Sequence, residues 1–214
     1  MKLTIVAASG GIGRAVLEQA VAAGHDVTAV VRDPARLPAT TARVVALDLA
    51  AADTGALVGA VAGADAVLSG LGARTKADTG IAARGTTTIV DAMRTAGTRR
   101  LVVVSAAPIG TVASAGRPQP PRHDPGDGFF MRHMFSHLAK AMFREHYVDL
   151  AEMEDVVRAS GLDWTVVRPP KLTDKALTGE YRTAVDENVR GGWSVPRADV
   201  AHLMLALASD DASV

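Results

Sequence analysis

Ala8-Ser9-Gly10-Gly11-Ile12-Gly13 is a glycine-rich turn between the β-branched apolar run Lys2–Ala7 and the helically periodic Arg14–Ala23. Backbone N–H groups in such a turn point at whatever lies over the helix N-terminus, where the helix dipole favours a pyrophosphate. Glycine serves where the backbone nears the ligand and where the helix packs closely on the strand. The pattern is imperfect. A G-x-G-x-x-G reading puts Ala8 in the first glycine position, and a G-x-x-G-x-x-G reading puts Ala7 there. A second strand, Val27–Val31, ends at Arg32, with Asp33, Pro34 and Arg36 close behind. An acid at that strand end would bond both ribose hydroxyls, whereas Arg32 and Arg36 offer guanidinium groups to a 2′-phosphate. The pair therefore predicts NADP(H) over NAD(H). A ligand-free turn and two solvated arginines are the plainer alternatives, and the strand and helix around the turn weigh against them.

The remaining elements repeat the alternation that would position such a site. Strands are expected at Arg43–Leu47, Asp65–Ser69, Arg100–Ser105 and Trp164–Arg168, the last stopped by Pro169-Pro170. Helices are expected at Thr54–Val61, Ile81–Ala96 and Arg197–Ala208. Mostly continuous apolar strands alternating with helices imply an α/β fold, a doubly wound parallel sheet with helices on both faces. Ligands of such sheets bind beyond the carboxyl ends of the strands. Attention therefore falls on Ser9 to Gly13, Arg32, Asp48 and Leu49, Leu71 to Arg74, Ser105, and Pro169 to Lys171.

Composition narrows the class further. A chain of 214 residues can bury a sizeable core and is expected to form one domain. Its 23 basic and 23 acidic residues cancel, so neither nucleic acid nor an anionic membrane surface is an expected partner. No apolar run is long enough to span a bilayer, and the glycine turn and Asp26 break the pattern of a signal peptide. With no cysteine, disulfides and thiolate catalysis are excluded. A cytoplasmic protein, monomer or homodimer, is the expectation.

In order along nearly the whole chain, several pieces resemble one family. They are Ala8-Ser9-Gly10-Gly11-Ile12-Gly13, Val31-Arg32-Asp33 with Arg36, Leu47-Asp48-Leu49, Leu71-Gly72, Ser105-Ala106, Arg168-Pro169-Pro170 and Leu177-Thr178-Gly179-Glu180-Tyr181. The chain resembles an atypical short-chain dehydrogenase/reductase of the NAD(P)H-binding, flavin reductase (biliverdin reductase B)-like branch of the NmrA-like superfamily. The resemblance implies a Rossmann domain that takes hydride from NADPH, with Arg32 and Arg36 on the 2′-phosphate. It implies Asp48 and Leu49 beside the adenine, and Leu71 and Gly72 (Arg74 follows) near the diphosphate and ribose. Ser105, Pro169 and Pro170 would border the nicotinamide, with Lys171 next to them.

The departures bear on mechanism. Ordinary short-chain dehydrogenases use a Tyr-x-x-x-Lys pair, in which lysine lowers the phenol pKa. Here Tyr147 is followed by Ala151 and Tyr181 by Val185 at that spacing. The double proline is followed by Lys171 where relatives often carry histidine. An ammonium there could bind a carboxylate or developing negative charge, but is no histidine equivalent. Ser105, Lys171 and Tyr147 are the candidate catalytic residues. No G-x-S-x-G elbow surrounds Ser105, which speaks against a serine hydrolase.

Between the fifth and sixth strands, Ala106–Gly128 reads as a loop with Pro118, Pro120, Pro121 and Pro125. An aromatic-rich helical stretch follows, holding all four phenylalanines (Phe129, Phe130, Phe135, Phe143), and the insertion runs to about residue 146. It is expected to dock on the core, with some residues forming a lid or substrate wall. His123, His133, His137 and His146 cluster there too. His133 and His137 stand one turn apart, yet no metal motif surrounds them and no metal is expected. Glu152, Glu154 and Asp155 read as the polar face of the next helix. The reading is an NADPH-dependent reductase of a flat aromatic or conjugated small molecule: a flavin, quinone or enone. A non-catalytic NADP(H) sensor and an NADP-dependent isomerase or epimerase are the alternatives.

Overall fold

Strands apolar on both sides need cover on both faces, and the inner strands of this sheet receive it. A computed structural model describes residues 1–51, 54–73, 75, 78–127 and 144–210. Six strands form one parallel sheet: β1 Lys2–Val6, β2 Asp26–Val31, β3 Arg43–Ala46, β4 Ala66–Ser69, β5 Arg100–Val104 and β6 Asp163–Val167. Their order is β3-β2-β1-β4-β5-β6. This is the doubly wound Rossmann arrangement, in which chain direction across the sheet reverses between β1 and β4. Register is continuous there, with Val6 opposite Val30 on one side and Ser69 on the other.

Side chains alternate between two cores. Val6, Val67, Leu101 and Val103 face helices α2 (Thr54–Val61), α3 (Ile81–Ala96) and α4 (Arg144–Arg158). Leu3, Ile5, Leu68 and Val102 face α1 (Gly11–Ala22) and α5 (Arg197–Ala208). The helices at 54–61, 81–96 and 197–208 have the bounds expected from periodicity. Two parallel three-residue strands, β7 Lys171–Thr173 and β8 Ser194–Pro196, are additional. They carry the chain from the end of β6 to α5.

The proline-rich segment is tied down along its described length. Residues Ala107–Thr111 form a 3-10 turn, and Arg117 donates to the carbonyl of Ile109. Buried Asp124 accepts from the N–H groups of Gly126 and Asn188. Asp149 of α4 accepts from Ala82 and Ala83, at 3.1 and 2.9 Å, and so caps α3 from another helix. The expected aromatic-rich helix, with His133 and His137, and Arg74 lie outside the described residues.

The phosphate turn is built around a left-handed residue that is not glycine. Ala7 has φ 58°, so the G-x-x-G-x-x-G spacing of Ala7, Gly10 and Gly13 describes the backbone. Gly13 is where α1 meets β1: a Cβ there would stand 2.2 Å from the Ala7 carbonyl oxygen. An L-residue in the left-handed region costs roughly 1–2 kcal/mol. Ala7→Gly is therefore expected to raise stability by about 1 kcal/mol, or roughly 2–4 °C in Tm, read by thermal unfolding. An unchanged or lower Tm would contradict the strain at Ala7.

Candidate functional site

A cavity of about 290 Å³ runs along the carboxyl ends of the strands, over the β1/β4 switch point. One end is charged. Arg32 and Arg36 line it just past β2, and Asp48 and Leu49 line it just past β3. Arg32 Nη1 lies 3.3 Å from Asp78 Oδ1, and Asp78 also accepts from Thr75. Asp33 lies in this wall, but its carboxylate accepts from the Ala35 N–H at 3.0 Å and caps the short turn Pro34–Arg36. Asp48 likewise accepts from the Ala50 N–H.

The middle is the glycine turn. Ser9, Gly10, Gly11 and Ile12 line the cavity, as do Leu71 and Gly72 after β4. Ala8 is fully buried behind the turn, and Gly13 lies beneath it. Facing the turn is Arg197, the first residue of α5, which no motif in the sequence singled out. A Cβ on Gly11 would stand 2.9 Å from its Cδ and Nε. Arg197 also pairs with Asp174, whose side chain is 90% exposed. A guanidinium lying against the N-terminus of α1 suits an anion, so the turn and Arg197 together fit a pyrophosphate.

The far end holds Ser105, His146, Leu150 and Leu172. Ser105 continues the β5–β6 ladder, its N–H donating to the Val167 carbonyl at 2.7 Å. Its hydroxyl donates to Glu154 Oε1 at 2.8 Å. Glu154 is fully buried and also accepts from Arg168 Nε at 2.8 Å, Arg168 Nη2 and Arg158 Nη2. Burial alone would push this carboxyl up, but the bonds from Arg168 and Ser105 and the charge of Arg158 hold it below the usual value near 4.5. With its proton turned toward Glu154, the Ser105 oxygen presents lone pairs to the cavity. It can accept from a carboxamide N–H; it does not offer a proton to a carbonyl.

The other expected catalytic residues stand elsewhere. Lys171 is exposed at the start of β7. Alternation along the strand turns Leu172 into the cavity and its neighbour out. Pro169 and Pro170 close β6, and the Pro169 carbonyl accepts from Ala107 instead of lining the cavity. Tyr147 packs against the α3/α4 core, where burial raises its hydroxyl pKa. The residue before it, His146, faces the cavity, and burial, partly opposed by Asp149, lowers its pKa. Glu154 is in the interior, whereas Glu152 is exposed as the polar-face pattern expects. No described residue from 106 to 127 lines the cavity. Among the described residues no group of three or more histidines and acids is placed to hold a metal, and no helix is long and apolar enough to cross a membrane.

Comparison with known proteins agrees with this geometry. A family model described as NAD(P)H-binding matches residues 7–211. The fission yeast Schizosaccharomyces pombe protein UPF0659 C216.03 is 30% identical over 130 residues, which cover 61% of this chain. That match spans about half, 49%, of the yeast protein's length. ChuY, an anaerobilin reductase from Escherichia coli O157:H7, is 26% identical with a TM-score of 0.73, covering 98% of this chain and 91% of ChuY. SP1627 from Streptococcus pneumoniae TIGR4, assigned to the NADH-flavin reductases, is 26% identical with a TM-score of 0.70, covering 96% of this chain and 91% of its own.

The Glu154 network yields a signed expectation. A carboxyl whose folded pKa is depressed adds stability that is complete above its unfolded value, near 4.5, and fades as pH falls through the folded one. Glu154→Gln leaves two arginines without their buried counter-charge and should cost about 3 kcal/mol at neutral pH. Urea unfolding from neutral to acid pH should show the two proteins converging only below about pH 4.5. A gap that stayed constant down to the acid limit would contradict an ionised Glu154.

Proposed function

This chain belongs to the NAD(P)H-binding family, and from that premise we propose that it is a cytoplasmic NADPH-dependent reductase delivering hydride to a flat conjugated small molecule. The observation that carries the reading is the continuity of the cavity from Arg32 and Arg36, past the glycine turn, to Ser105 and His146. That order matches a phosphorylated adenosine at one end, a pyrophosphate over the turn and a nicotinamide at the other.

NADPH, when bound, supplies the hydride; the protein binds it, orients it and keeps water away. Arg32 and Arg36 hold the 2′-phosphate as charge-assisted donors, with no acid at the end of β2 free of a structural bond to claim the ribose hydroxyls. Asp48 and Leu49 flank the adenine. The turn N–H groups and Arg197 hold the pyrophosphate. Ser105, its hydroxyl committed to Glu154, accepts from the carboxamide and fixes the ring's rotation. Leu150 and Leu172 supply the apolar wall that a conjugated acceptor needs. The names of ChuY and SP1627, an anaerobilin reductase and an assigned NADH-flavin reductase, support a flat acceptor.

The test is NADPH oxidation, with NADH in parallel, against FMN, riboflavin, naphthoquinones and enones. Turnover preferring NADPH is expected. Arg32→Glu should weaken NADPH binding by about 2 kcal/mol, roughly 30-fold in Kd, and leave NADH little changed. Unchanged NADPH affinity in that variant would remove Arg32 from the phosphate site. Tight NADPH binding without oxidation by any acceptor would favour a sensor.

A further inference from the structure

We infer that His146 is the proton donor of this site and that the acceptor it serves is a conjugated carbonyl compound, such as an enone or enal. The inference rests on the reductase reading and adds to it the acid and the substrate class.

The case is one of position and elimination. His146, Leu150 and Glu154 follow one another at intervals of four along α4 and so lie on one face. The first two line the cavity and the third bonds Ser105. The face of α4 turned to the nicotinamide end therefore carries an imidazole and an apolar side chain, with Tyr147 turned to the core. Other polar groups of the described wall are unsuited to donate. Arginine does not give up its proton. Ser9 lies on the glycine turn in the middle of the cavity, Asp33, Asp48 and Asp78 accept bonds at the adenosine end, and Ser105 donates its proton to a hydrogen bond with Glu154. Burial weakens the hold of the His146 imidazole on a proton, so the imidazolium that donates is the minor form at neutral pH and the stronger acid where it forms.

Such an acid distinguishes among acceptors. A flavin or quinone spreads the charge left by hydride over its own rings and takes a proton from water. An enone does not, because its enolate is a strong base and hydride arrives slowly unless the oxygen is protonated in the same step. In the balanced step the β-carbon forms a C–H bond with the hydride given up by NADPH, and the carbon–carbon π pair shifts toward the carbonyl. The carbonyl π pair takes the His146 proton as a new O–H bond. The enol then tautomerises to the saturated carbonyl, His146 recovers a proton from water, and NADP⁺ leaves. NADPH is oxidised by two electrons and the enone is reduced by two.

The experiment compares the full chain with His146→Ala, each first shown to bind NADPH by protein fluorescence. With an enal acceptor, His146→Ala should lose about 100-fold or more in kcat, at least about tenfold more than it loses with FMN. Added imidazole should restore enal reduction in this variant and leave FMN reduction alone. A readout without turnover uses 4-(dimethylamino)cinnamaldehyde, an enal whose absorbance moves to the red when its oxygen is hydrogen-bonded. The NADP⁺ complex of the wild type should show that shift, and the complex of His146→Ala should not. His146→Gln, closer in size, serves if the alanine variant fails to fold; it should keep part of the red shift and lose the kcat. Equal losses with enal and FMN, no imidazole rescue, or an unaltered red shift would overturn the role of His146. A wild type that reduces FMN but no enal or enone overturns the acceptor class and leaves the reductase reading standing. A wild type that binds NADPH and reduces nothing overturns both.

Discussion

One buried carboxylate fixes the Ser105 end of the cavity. Glu154 joins α4 to the ends of β5 and β6 through Ser105 and Arg168, and to its own helix through Arg158. A carboxylate this deep is costly unless its oxygens are fully bonded, and here both are. The consequence is rotational. Pinning Glu154 sets which face of α4 meets the sheet, so His146 and Leu150 turn to the cavity while Tyr147 turns to the core. The same bond orients the Ser105 hydroxyl. Asp149, capping α3 from α4, ties that rotation to the neighbouring helix.

The sheet order supplies the second constraint. With β1 between β2 and β4, the connections leave in opposite directions and a crevice opens over the strand ends. Into it project the α1 N-terminus, Arg32 after β2 and Ser105 after β5. Close approach of α1 to β1 requires Gly13. The left-handed conformation at Ala7 turns the chain sharply, and the turn closes on itself as the Gly10 N–H donates to the Ala7 carbonyl at 2.8 Å. Strain at Ala7 is thus the local cost of bringing α1 so close to the end of β1.

Local pattern made most of this architecture readable. The helices at 54–61, 81–96 and 197–208 and all six strands of the large sheet follow from apolar periodicity and turn residues. What stayed hidden depended on partners distant in sequence. Glu154 sits among charges at helical spacing and looks like a solvated face, because nothing nearby announces that Ser105, 49 residues earlier, and Arg168, 14 later, will enclose it. Arg197 carries no motif and acquires meaning only because α5 packs beside α1. Strands of three residues, such as β7 and β8, are too short for alternation to register. Missing them left Lys171 in the place that the strand gives to Leu172. Tyr147 drew attention as a phenol, although a helix turns adjacent residues 100° apart and its neighbour His146 has the inward place.

The Arg32 end of the cavity shows how a site can be charged yet ready for an anion. Arg32 spends its charge on Asp78 in this structure, at 3.3 Å and with its own side chain 58% exposed. An ion pair of that kind contributes at most about 1 kcal/mol, since water screens it and two side chains lose freedom to make it. A phosphate would bring close to two charges and three acceptor oxygens to the same guanidinium, with Arg36 beside it. Under the proposed function, exchange of Asp78 for phosphate would then be favourable. Asp78 also accepts two bonds from Thr75, which do not depend on Arg32. Arg32 is thus held loosely, by one exposed ion pair, whereas Glu154 is held on every side.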